Sequence, residues 1–210
     1  MSKIEIDKKN VEAAYQVANE DTKKVLDALF GNAKANTPNL DDFRSIKTYE
    51  DACEALELTP IFSDNEAKRA VCEYVGEHWD YRQNMPKHII ALMKLETIAK
   101  ALWGRNWEPK PDAEGKSIFW FPWFALWTKK EMENLDKDQK GALLSAIAAY
   151  GAVAGFGYLT TNYRSSHTHA YIGFRLCQET EEKAKYFGTQ FVELWADYLR
   201  FNFTTGERIK

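Results

Sequence analysis

The chain of 210 residues is 45% hydrophobic and 28% charged, with a formal net charge of −3. This composition excludes a disordered chain, and the charge excludes a uniformly basic nucleic-acid coat while leaving room for a local patch. Aromatic residues make up 14% of the chain, and each buried ring removes roughly 150–250 Å² from water, enough to drive one domain with a helical appendage.

The opening MSKIEIDKKN has no apolar core, so no secretory leader is expected. The longest apolar run, residues 141–159, is broken by four glycines and falls short of the ~20 residues of a membrane helix, so no membrane partner is expected. Cys53, Cys72 and Cys177 form neither a C-x-x-C pair nor a zinc spacing. Reduced thiols in a cytoplasmic protein are the expectation.

In chain order, Val11, Ala14, Tyr15 and Ala18 recur at helical spacing, and Val25, Leu26, Leu29 and Phe30 do so before Gly31. After the breaker-rich NAKANTPNLDD, Thr48 begins a capping-box pattern with Asp51 in place of the usual Glu or Gln, ahead of a stripe of Ala52, Ala55 and Leu56. Ser63 is a candidate cap for a helix running to residue 74. A longer helix runs from Asn84 and Pro86 to Gly104, with Ile89, Ile90, Met93, Ile98, Leu102 and Trp103 on its apolar face. SIFWFPWFALW, residues 117–127, packs six aromatic side chains around Pro122. It reads as a strand with two apolar faces, and the proline argues for an edge or a bulge. Most of these rings are expected inside, with Trp127 left as an edge contact.

Thr128 with Glu131 opens a short helix. Residues 151–163 read as glycine-rich extended chain, and residues 170–177 alternate Ile172, Phe174 and Leu176 against Tyr171, Gly173 and Arg175. Thr180, Glu181 and Glu182 then start a C-terminal helix whose stripe includes Ala184, Phe187, Phe191, Leu194, Trp195, Tyr198 and Leu199. The expected fold class is α+β. An N-terminal helical arm (1–47) precedes a core (48–210) of helices (48–104), a small antiparallel sheet (105–177) and a long C-terminal helix (180–202) packed on it. Phe187, Phe191, Leu194 and Trp195 are expected against Ile172, Phe174 and Leu176.

KTYEDACEALEL, HIIALMKLETIAKALWGRNWEP, FWFPWFALWTKKE and YIGFRLCQETEEKAKYFGTQFVELWADYLRFN together resemble a family of small proteins from phages and prophage-like elements of gut Bacteroidetes. The likeness runs from about residue 22 to 203. It departs from the family's usual G-S-R-L where Phe174 follows Gly173, and residues 143–154 are richer in alanine. The family has no established activity, so no catalytic residue, substrate or cofactor carries over. The resemblance implies a mobile-element context, the host cytoplasm as location, and a nucleic-acid, virion or host-interaction role.

Candidate chemistry is sparse. His167 and His169 would share a strand face about 6.5–7 Å apart, but residues 151–177 contain no Asp or Glu to complete a zinc site, so a polar loop is expected instead of a metal. Glu73, Glu77, His78 and Asp80 lack a second Glu-x-x-His motif and read as a solvated helix end. No nucleophile elbow is present, and Gly151, Gly155 and Gly157 make no G-x-G-x-x-G; bulges or close packing against a ring explain them better. The remaining constellation is Tyr163, Arg164, His169, Tyr171 and Arg175, rings and guanidinium groups in an acid-free stretch. That pattern suits single-stranded nucleic acid; the plain alternative is rings in the core and arginines paired with distant acids. The expectation is a non-enzymatic, cofactor-free binding protein. Another protein, as an interaction or virion-associated component, is the alternative partner, and a second copy of the chain a further one. A metal-dependent hydrolase through His167 and His169 is the third reading.

Overall fold

The computed structural model describes residues 8–30, 38–60, 86–110, 112, 114–148, 154–165, 174–200 and 203–209. The helix expected after Ser63, Cys72, the Glu73–Asp80 cluster, His167, His169 and Tyr171 lie outside them. The chain divides into two compact units, Met1–Pro38 and Asn39–Lys210. The division falls before residue 47 because the intervening segment belongs to the second unit. There Ile46 is fully buried, and the Phe43 ring meets Tyr186 edge-on at 5.4 Å.

Among the described residues the first unit holds two helices, α1 (Lys8–Val17) and α2 (Glu20–Phe30). Asn19 caps α2, its Oδ1 accepting the Thr22 N–H at 2.9 Å, and Glu20 and Asp21 lie in the first turn where the helix dipole favours them.

The second unit is an α+β fold. Helices α3 (Tyr49–Ala55) and α4 (Lys87–Trp103) precede strand β1 (Ile118–Trp127). Two short helices, α5 (Lys129–Glu133) and α6 (Lys137–Gly141), lead into β2 (Leu143–Ala148) and β3 (Gly155–Ser165). A 3₁₀ turn (Phe174–Leu176), α7 (Glu181–Gln190), α8 (Val192–Leu199) and β4 (Phe203–Arg208) complete it. The strands form one antiparallel sheet in the order β1-β3-β2-β4. Among the described residues no helix is long and apolar enough to cross a membrane.

Local chemistry sets the helix starts. The shorter Asp51 still closes the box on α3: Thr48 Oγ1 accepts from Asp51 N at 3.0 Å, and Asp51 Oδ2 accepts from Thr48 N at 2.9 Å. Thr128 and Glu131 close another on α5, and Thr180 caps α7. Helix α4 stops at Gly104, whose φ of 82° and close approach to the Leu40 carbonyl exclude a side chain.

The C-terminal helix lies on the sheet as expected, but broken at Phe191 (φ −109°, ψ 30°). Thr189 Oγ1 bonds back to the Lys185 carbonyl at 2.9 Å, a bond that bends helices. The Phe187 carbonyl accepts the Trp195 indole N–H at 3.1 Å. Behind α7 and α8 stand α4 and α3, and Leu95, Ile98, Leu102, Phe187 and Trp195 fill the space between them. A second cluster, Leu144, Phe156, Tyr158, Val192 and Phe203, lies between sheet and α8. Phe124 joins the two, stacked on Phe156 and tilted against Trp195. Each such side chain contributes about 1.5–3 kcal/mol by leaving water.

Three expectations are corrected. Residues 174–176 are a 3₁₀ turn, not part of a strand. Consecutive side chains there are all anchored: Leu176 in the helical core, Cys177 beneath Phe119 and Phe121, and Gln178 fully buried. The Trp103 indole also donates to the Cys177 carbonyl at 2.7 Å. Alternation cannot survive across residues 176–178, where three consecutive side chains face in. Phe187 and Trp195 consequently pack on Phe124 of β1 and on α4, with Leu176 beside them; Ile172 lies outside the described residues. Finally, β2 and β4 are strands that the sequence reading passed over. Phe203 of β4 stacks on Phe156 at 5.2 Å.

A candidate binding face on β1 and β3

Pro122 sits in β1 without breaking the ladder. Trp120 turns its N–H and carbonyl outward to Gln178, at 3.0 and 2.8 Å, so by the two-residue period the missing N–H of Pro122 also faces the outer edge and not β3. β1 is the edge strand, as the proline requires.

The register decides which rings are exposed. Trp123 pairs with Thr160 but Phe124 pairs with Tyr158, so Leu159 is an extra residue in β3. A bulge of this kind reverses the inward–outward alternation beyond it. Below the bulge Phe156 and Tyr158 face the helices with Phe124 and Leu126. Above it Tyr163 pairs with Trp120 on the helix-facing side, whereas Thr160, Asn162 and Arg164 share the opposite side with Trp123, Phe121 and Phe119. The bulge is held from outside the strand, where Gln139 Nε2 of α6 donates to the Leu159 carbonyl at 2.9 Å.

On that opposite side Trp123 is 40% exposed. The Arg164 guanidinium lies over its ring, 5.8 Å from the centroid, and Nη1 donates to the Tyr163 carbonyl at 2.7 Å. Among the described residues Arg164 has no carboxylate partner. Phe119 and Phe121 are sealed beneath Trp107 and Cys177, so Trp123 is the ring this face presents, while Trp127 is half-buried. On the helix-facing side Tyr163, 52% exposed, tilts against Trp120 at 5.3 Å.

The expected constellation is therefore partly dispersed. Tyr163 and Arg164 are neighbours in sequence on opposite sides of the sheet. Arg175 stands on the 3₁₀ turn, exposed, with Nη1 3.2 Å from Glu96 Oε1 of α4. Its charge is met there by an acid, as the plain alternative held. His169 and Tyr171, with His167, lie outside the described residues. Sequence reasoning missed Trp123 as the exposed ring; its partner across the ladder, the small polar Thr160, was the available signal.

Gly155 and Gly157 serve close packing, but not against a ring: a Cβ at Gly155 would meet Met132 Sδ at 2.6 Å, and one at Gly157 the Ala142 carbonyl at 2.5 Å. Burial pushes the Cys177 thiol up to about 12 and raises that of Cys53, which makes both poor nucleophiles. Asp112 is held well below the usual carboxylate range by the Ser117 hydroxyl and by the N–H groups of Lys116 and Ser117, which fastens the chain entering β1. Among the described residues no group of three or more His, Cys, Asp or Glu could hold a metal ion. No family model, curated protein or solved structure matches the chain.

Proposed function

We propose that the chain is a non-enzymatic binding protein that holds single-stranded nucleic acid on the β1–β3 face, with Trp123 as the stacking ring and Arg164 as the phosphate partner. What carries this reading is one arrangement: an exposed indole with a guanidinium 5.8 Å above it and no carboxylate on that guanidinium among the described residues. Base–aromatic stacking contributes about 1–3 kcal/mol per base and tolerates any sequence. An arginine without an acid partner is available to neutralise the backbone. Tyr163, on the opposite side of the sheet, drops out of this face, while His169 and Tyr171 belong to the same proposal. Arg175 drops out of it, being paired with Glu96. The resemblance to phage-associated proteins supports a nucleic-acid role.

The test is titration of a short labelled oligothymidine by anisotropy at several salt concentrations. Each phosphate neutralised on a single strand contributes about −0.7 to the slope of log K against log salt. Arg164→Ala should flatten the slope by about that amount, and Arg175→Ala should leave it unchanged. Trp123→Ala should weaken binding roughly 5- to 150-fold with the slope retained. No binding at about 50 mM salt, or binding indifferent to both Arg164→Ala and Trp123→Ala, overturns the proposal. A protein partner is then the better reading, favoured by Ile147, which is 68% exposed on the same side of the sheet.

A further inference from the structure

The stretch TTNYR, residues 160–164, places Thr160, Asn162 and Arg164 at the two-residue period of β3, on the open side that Trp123 shares. Thr160 lies directly across the ladder from Trp123, and Asn162 is the diagonal neighbour of that ring, within reach of a group held on it. Asn162 and Arg164 are both half-buried, which strengthens any hydrogen bond they make to a ligand.

The backbone decides what these side chains can offer. Asn162 Oδ1 accepts the Tyr163 N–H at 2.8 Å, so the amide nitrogen keeps both hydrogens unspent among the described residues. The guanidinium of Arg164 gives one of its five N–H groups to the Tyr163 carbonyl at 2.7 Å and has four left among the described residues. Both residues therefore offer donors beside the exposed indole. Thr160 differs. Its hydroxyl is given to the Thr161 carbonyl at 3.3 Å, which leaves its oxygen an acceptor.

A base stacked on Trp123 shares the space over the ring with the guanidinium, which lies 5.8 Å from the centroid, so the two meet edge to edge. The edge that suits a set of donors has two neighbouring acceptors. Guanine has one, N7 beside O6, whereas adenine carries an amine in place of O6. Against Asn162 and Arg164 that amine finds donors only. We propose that Asn162 and Arg164 select guanine on Trp123 by donating to N7 and O6. The inference rests on the nucleic-acid reading of this face. Four free N–H groups let the guanidinium serve the base and a phosphate together.

The test is anisotropy with a short oligothymidine carrying one central guanine, adenine, hypoxanthine or 7-deazaguanine. Guanine should bind more tightly than adenine by at least about 10-fold, within the roughly 5- to 150-fold of a two-bond base contact. Hypoxanthine, which keeps N7 and O6, should match guanine, and 7-deazaguanine, which lacks N7, should fall towards adenine. Asn162→Ser, whose hydroxyl can still accept the Tyr163 N–H, should reduce the guanine-to-adenine ratio several-fold. Asn162→Asp, which exchanges the donor for an acceptor, should bring it to one or below. Each ratio is taken within one variant, so a general loss of affinity cancels. Oligothymidine binding that needs Trp123 and Arg164 but shows no base preference overturns the guanine inference alone. So does a preference for adenine, as the Thr160 acceptor would give. No binding of any of the oligonucleotides overturns the nucleic-acid reading and this inference with it.

Discussion

Replacing Gly188 by alanine should destabilise the protein, although the same change in an ordinary helix stabilises it. Gly188 lies inside α7, where alanine is favoured by about 1 kcal/mol through helix propensity alone. Here, however, α7 touches the sheet, and an added Cβ would stand 2.6 Å from Pro122 Cβ and 3.0 Å from Tyr158 Cδ2. Carbon atoms settle about 3.5–4.0 Å apart, so the nearer contact is short by roughly 1 Å. Pro122 has no rotamer to swing, and its strand is tied to β3. The helix must therefore move, and it carries Phe187, which is fully buried and packed edge-on against Trp195 at 5.0 Å. Overpacking of this kind costs about 1–3 kcal/mol, and the rigid partner places it near the top of that range. Setting about 3 against about 1 leaves a net loss of roughly 2 kcal/mol. For a chain of this size that lowers Tm by roughly 4–8 °C. Gly141→Ala is the control, because Gly141 ends α6 with nothing within 4 Å of its would-be Cβ. It should be neutral or raise Tm. Thermal unfolding by circular dichroism measures both. If Gly188→Ala is as stable as the parent, or if the two alanine variants shift together, the close helix–sheet approach is wrong.

The thiols give a second expectation. Alkylation of the native protein should spare Cys53 and Cys177, and peptide mapping should find both modified only in denaturant; rapid native labelling of Cys177 would contradict its burial. Acid sensitivity gives a third. Asp112 and Glu131 have folded pKa values below their ordinary ones, Asp112 chiefly through the Ser117 hydroxyl and Glu131 chiefly through the Thr128 N–H. Their contribution is complete above the ordinary carboxylate pKa of about 4 and is lost as pH falls through the depressed folded values. Urea midpoints of the parent and Asp112→Asn should therefore differ most near neutrality and converge in acid. A difference constant with pH would count against the Ser117 contact.

Much of the fold was legible because its signals are local. Thr48, Thr128 and Thr180 each supply a hydroxyl to an N–H within the next three residues, and Gly104 ends α4 through its own backbone angle. The aromatic run could be read as an edge strand from Pro122 alone. β2 and β4 could not be read this way. LLSAIA has alternating burial, with Leu144, Ala146 and Ala148 inward, but alanine disfavours strands and hides the pattern. FTTGER resembles a polar tail until Phe203 is seen stacked on Phe156. The alternation of residues 170–177 was misleading for the opposite reason. At its end three consecutive residues are inward, because three separate neighbours, the helical core, Phe119 with Phe121, and Trp120, each hold one of Leu176, Cys177 and Gln178.

The candidate face was the least legible part, and Leu159 explains why. Counting in twos from Phe156 and Tyr158 puts Arg164 on the side of the sheet that the helices cover, where a guanidinium would lose its hydration. The extra residue turns it to the open side and over Trp123. Nothing in GFGYLTTNYR marks Leu159 as that residue. Its carbonyl is held by Gln139, whose own side-chain oxygen accepts the Asp136 N–H at 3.0 Å while its amide nitrogen reaches β3 at 2.9 Å. Both ends of one amide are thus used, one to start α6 and one to fix the bulge. The pairing of Arg164 with Trp123 accordingly depends on a helix start more than twenty residues earlier in the chain. A face built in this way is set by tertiary contact, and only the register reveals it.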